Sequence, residues 1–120
     1  MNRPLLLSLL LLSPLLARAA PPGQSLNTQG FRLYQAGKYP EALEKFTAAA
    51  EADPGLALAH YNVAATLGVL RKRGQVCEYS AYRETILERL QRAIRLDSRR
   101  LARAKEDKDF EPIQIGRAHV

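Results

Sequence analysis

The chain has 120 residues, 47% of them hydrophobic and 25% charged, with a single cysteine and a formal net charge of +6. That length bounds it to one small domain, and one thiol excludes an internal disulfide framework, so stability has to come from a packed apolar core. The positive balance favours acidic partners or anionic surfaces only if the charges survive in the mature chain and gather on one part of it.

Residues 1–19 carry one early positive charge at Arg3, a leucine-rich run over 5–16, and a small-residue exit at Ala17, Arg18 and Ala19. This is the layout of an export signal cleaved after Ala19, which places the rest of the chain in the periplasm or outside the cell. The apolar run is too short for the ~30 Å of a bilayer interior, so no stable membrane span is expected after cleavage. An uncleaved anchor or a buried core helix is the competing reading. Against both stand Pro14 and the following linker, residues 20–25, which contains Pro21, Pro22 and Gly23. No cysteine follows the exit, which argues against a lipid-anchored signal.

Without Arg3 and Arg18 the balance falls to +4. What remains is uneven: residues 26–54 hold three basic and four acidic side chains, and residues 71–108 hold twelve and six. The C-terminal half is therefore a basic body, readable either as an acidic-partner surface or as solvated helix faces rich in arginine. Export and the lack of a stacking motif speak against nucleic acid as the partner.

From residue 26 onward, apolar or small residues return every three or four positions. The first helix is expected from Ser25 or Leu26 to Ala36, stopped by Gly37. The second begins with Pro40 in its first turn and buries Ala42, Leu43, Phe46, Ala49 and Ala50. The third, residues 55–70, packs through Leu56, His60, Val63, Ala64, Leu67 and Leu70. Its other side, with Leu58, Tyr61, Ala65 and Val69, is also apolar. That second side is either a greasy groove or is covered by the next loop. Residues 71–79 read as that loop, because Arg71, Lys72, Arg73 and Gly74 suggest that the helix stops. A fourth helix is expected from Ser80 to Leu96 with Tyr82, Ile86, Leu87, Leu90, Ala93 and Ile94 inward. Ser98 is positioned to cap a short fifth, and Phe110 and Ile113 are expected to fold back on that last helix.

The first and third helices match at an offset of 34 residues, Leu26, Gln29, Gly30 and Leu33 against His60, Val63, Ala64 and Leu67. The second and fourth match at 44, Ala42, Phe46, Ala49 and Asp53 against Ile86, Leu90, Ala93 and Asp97, so ten extra residues lie in the second turn, near 71–80. A fixed period with one enlarged loop is the mark of a helical repeat array. Residues 26–54 resemble a tetratricopeptide repeat of the bacterial exported type: Gly30, Tyr34, Gly37 and Tyr39 at the turn, then Ala42, Phe46, Ala49, Asp53 and Pro54. Leu26 departs from the usual opening Trp. Residues 55–98 match more weakly, with His60 at the bulky opening position and Ser98 in place of the closing Pro. Residues 107–113 also resemble the ending of many such proteins, with Lys108 where Pro is usual.

The resemblance implies an all-α, antiparallel helix-hairpin stack that curves into a superhelix, of about two repeats, closed by a capping helix and terminal turn over 99–113. It further implies a protein–protein interaction module or scaffold. Its inner groove would hold a peptide or partner segment against Asn27, Thr28, Phe31, Tyr34 and Gln35 from one repeat and Leu58, Tyr61, Asn62, Ala65 and Val69 from the next. The lysine-rich clamp by which some relatives grip a C-terminal carboxylate is missing, since Asn27 and Phe31 stand in its places and only Asn62 matches. An aromatic and amide groove of this kind suits apolar or extended peptides.

An enzyme is the competing class, and the chain offers no HExxH, no paired cysteine ligands, no glycine-rich phosphate loop and no credible Ser, His and Asp set. No catalytic residue, metal or cofactor is expected. Cys77 has neither a second cysteine nor a histidine nearby in sequence to form a catalytic pair, and His60 has no partner at metal-binding spacing. Residues 114–120 read as the translation of a sequencing-library adapter. On that reading the natural chain continues differently after about Ile113, and a further alternative is the N-terminal part of a larger envelope-assembly factor.

Overall fold

The computed structural model describes residues 20–74 and 82–113. The expected export signal, most of the enlarged loop including Cys77, and the adapter-like tail lie outside the described residues. The fold is all-α, with no strand among the described residues. Five helices, α1 (Pro22–Gln35), α2 (Tyr39–Ala52), α3 (Ala57–Lys72), α4 (Arg83–Leu96) and α5 (Arg99–Glu106), are followed by a 3-10 turn, Lys108–Ile113. Each of the first four packs against its neighbour in sequence.

α1 begins at Pro22, inside the stretch expected as linker. Proline at the first helical position loses no hydrogen bond, and the Pro21 carbonyl accepts from the Ser25 amide at 3.1 Å. Gly23 holds the new turn close to α2: a Cβ there would lie 2.8 Å from the Asp53 Cβ. The helix ends as its sequence predicts. Gly37 takes φ +75°, the Lys38 amide donates to the Leu33 carbonyl at 2.9 Å, and the Gly37 amide donates to Tyr34 at 3.0 Å. This is the six-to-one and five-to-two closure that a left-handed residue permits.

α2 carries Pro40 in its first turn and buries Ala42, Phe46, Ala49 and Ala50. Gly30 of α1 lies flat against Phe46, and a Cβ at that position would come within 2.7 Å of the ring. Gly30→Ala should therefore destabilise the fold by about 1–2 kcal/mol in urea unfolding: a helical alanine gains about 1 kcal/mol, but an enclosed ring has nowhere to move. An unchanged midpoint would show that α1 and α2 do not approach so closely.

α2 and α4 finish with the same device. Asp53 accepts from the Gly55 amide at 3.0 Å and Asp97 from the Arg99 amide at 3.2 Å, each carboxylate folding over the backbone two residues on. Asp97, with no capping bond from Ser98, thus opens α5. α3 runs past the expected stop through Arg71 and Lys72, with Arg71 buried, and turns off at Gly74, φ +66°. Basic residues suit the negative end of a helix and do not break it; the glycine does. Arg73 lies over the Tyr39 ring, 4.7 Å from its centroid. Tyr82 precedes α4 in a left-handed conformation, φ +67°, and is 46% exposed, contrary to its expected inward position.

Two apolar clusters form among the described residues, a small one of Ala49, Ala50 and Ala59 and a larger one that joins the other elements. Phe46 and Leu90, fully buried, share a cluster with Val63, Ala64, Leu67, Ile86 and Ala93. Phe110 and Ile113 enter the same cluster on α3, not on the last helix as expected. Gly68 permits this, because its missing Cβ would lie 2.2 Å from the Asp109 carbonyl oxygen. The second apolar side of α3 is therefore partly covered, among the described residues by the C-terminal turn, while the enlarged loop expected as its cover lies outside them.

Candidate functional site

The side chains expected in the groove come from α1 and α3, and the structure divides them into two groups. Tyr34 and Tyr61 reach toward the C-terminal turn. The Tyr34 hydroxyl donates to Asp109 Oδ2 at 2.5 Å, and the Tyr61 hydroxyl donates to Asp107 Oδ2 at 2.7 Å. Tyr61 stacks edge-on against Phe110 with centroids 5.6 Å apart, and Tyr34 does the same against Tyr39 at 5.1 Å. Asp107 Oδ1 also accepts from the Asp109 amide at 3.0 Å, which fixes the turn that presents both carboxylates. Ala65 is buried and, with Tyr34, Phe46 and Thr66, lines only a small cavity of about 80 Å³ beneath.

The second group remains open. Asn27, Phe31, Leu58 and Asn62, with Tyr61 shared between the two groups, surround a pocket of about 350 Å³, joined by Thr28 and by Arg100 and Arg103 of α5. Phe31 is 48% exposed and Leu58 36%, large apolar surfaces left in water on facing helices. Between them the Asn62 amide nitrogen donates to Asn27 Oδ1 at 2.9 Å. Asn27 Nδ2 and Asn62 Oδ1 then have no partner among the described residues, one donor and one acceptor at the pocket wall. Gln35 is exposed at the end of α1 and lines neither cavity.

Sequence reasoning missed Arg100, Arg103, Asp107 and Asp109 at this site. The aspartates were visible only as part of a terminal motif. The arginines sit on an element read as a cap, and nothing in local spacing announces which repeat face a cap leans over.

Burial, followed by the Asp109 hydrogen bond, pushes the Tyr34 hydroxyl well above the usual tyrosine value. Burial and Asp107 do the same to Tyr61. Burial also lifts the Asp109 carboxyl, outweighing the opposing Tyr34 hydrogen bond, with the Asp107 charge adding to the rise. In all three cases the fold holds its proton to higher pH than the unfolded chain does. Stability is thus present below the unfolded values and falls as pH rises through the folded ones: for Asp109 above about pH 4, and for the tyrosines above about pH 10. An absorbance titration at 295 nm should show a late phase, above the ordinary tyrosine range, from Tyr34 and Tyr61. Loss of the late phase in a Tyr34→Phe, Tyr61→Phe variant would assign it; a native chain whose tyrosines all ionise together near pH 10 would refute it.

Among the described residues no group of three His, Cys, Asp or Glu side chains is placed to hold a metal ion, and no helix is long and apolar enough to cross a membrane. Comparison with family models, with curated proteins and with solved structures gives no match.

Proposed function

We propose that this chain is an exported interaction module of the tetratricopeptide type, whose inner groove takes an extended segment of a protein partner. One observation carries the reading: Phe31 and Leu58 stand exposed on either side of an asparagine pair that offers one free donor and one free acceptor. An extended peptide presents alternating side chains and a backbone N–H and C=O, which fit the apolar walls and the two amide groups together. The helix pairing and the two equivalent aspartate closures support a repeated hairpin.

Tyr34 and Ala65 belong to the covered part of the inner face, so the test falls on the open part. A displayed library of random peptides, selected against the purified full chain, should yield apolar extended binders. Their affinity should drop about tenfold or more in a Phe31→Ala, Leu58→Ala variant, since aromatic and aliphatic anchors carry most of such a contact. Failure to enrich any peptide, or binders indifferent to both substitutions, would overturn the proposal.

A further inference from the structure

A third cavity, sharing no lining residue with the groove, opens between the start of α3 and the exposed face of α4. It measures about 260 Å³ and is lined by His60, Glu88, Arg89, Arg92 and Arg95. The three arginines recur at steps of three along α4, which keeps them on one side of the helix.

His60 organises the innermost of them. The ring is buried, its Nε2 lies 2.8 Å from the Pro54 carbonyl, and its Nδ1 lies 3.3 Å from Arg89 Nη1. Nε2–H can only donate to the carbonyl, which leaves the Nδ1 lone pair to accept from the guanidinium. Arg89 is thereby oriented without being neutralised. Among the described residues Glu88 is the one carboxylate in the lining, and it closes no ion pair with Arg92, four residues on, within 4.0 Å. Arg92 and Arg95 make no ion pair among the described residues, whereas Arg99 and Arg100 on the next helix both engage Asp97. Among the described residues the pocket therefore gathers three cations against one anion, in a concavity large enough for a tetrahedral oxyanion.

We propose that this pocket binds a phosphoryl-type oxyanion, a phosphate monoester or diester, through Arg89, Arg92 and Arg95. Planar guanidinium forks match phosphate oxygens two at a time, and an anion between like charges relieves their mutual repulsion. The site is independent of the peptide groove, so either can fail alone. The phosphate can be carried by a soluble molecule or by a lipid headgroup, and the two sources separate experimentally.

The full chain is titrated with inorganic pyrophosphate by calorimetry at low salt, and sedimented with vesicles of phosphatidylcholine with and without phosphatidylglycerol. The wild type should bind pyrophosphate, the phosphatidylglycerol vesicles, or both; vesicles alone identify a headgroup site. Arg92→Gln with Arg95→Gln should weaken binding about tenfold. Both side chains are exposed, so folding is preserved and circular dichroism verifies it. A charge-matched control, Arg32→Gln with Lys38→Gln on α1 and the turn after it, should bind as the wild type does. Equal losses in the two variants would reduce the effect to net charge and overturn the site, as would a wild type that binds neither probe.

Discussion

Phe46→Ala should lower the unfolding free energy by about 3–5 kcal/mol, the range for an aromatic ring removed from a closed core. The ring is 1% exposed, sits on the Gly30 backbone, and belongs to the cluster that links α2 to α3, α4 and the C-terminal turn. None of these contacts collapses easily into the vacancy, because Gly30 has no side chain to move and the alanines at 42 and 64 are too small to reach across. A domain of this size has roughly 5–15 kcal/mol in total, so the variant should be partly unfolded at physiological temperature. Urea denaturation followed at 222 nm measures the loss; less than about 1 kcal/mol would mean that the hairpins do not close around this ring.

Gly68→Ala should cost about 1–3 kcal/mol and should act locally, releasing the Lys108–Ile113 turn from α3. Alanine gains about 1 kcal/mol as a helix former, yet its Cβ would meet the Asp109 carbonyl at 2.2 Å, a backbone atom that moves only if the whole turn moves. The turn's departure takes Asp107 and Asp109 away from Tyr61 and Tyr34 and exposes Phe110 and Ile113. Two readouts therefore shift together: the late-ionising tyrosines return toward ordinary values, and amide exchange quickens over 107–113 while α1 and α2 stay protected. Protection that remains uniform would contradict the close contact.

Helix positions were largely legible because burial on a helix repeats every three or four residues and needs only local sequence. Gly37 and Pro40 marked the first turn, and Phe46 and Leu90, related by the repeat offset, meet in one core. The boundaries slipped where a residue has two meanings. Pro22 read as linker but opens α1, and the Arg71 to Arg73 run read as a stop although cations belong at a helix C-terminus. The site was half legible. Phe31, Leu58, Asn27 and Asn62 converge as the repeat offset implies, whereas Tyr34 is engaged by a residue 75 positions away and Tyr61 by one 46 away. Such pairings depend on where a short polar turn lands, and a segment with one Phe and one Ile has no periodicity to reveal it.

If the groove takes a peptide as proposed, the turn that lies across Tyr34 and Tyr61 makes the molecule its own first guest. A segment tethered by one short helix presents itself at an effective concentration of the order of millimolar, so a free peptide seeking the same contacts at micromolar levels starts at about a thousandfold disadvantage. Under the proposed function, ligands would be sorted by footprint: those content with the open half would meet no rival, and those that need the full length would first have to displace the turn.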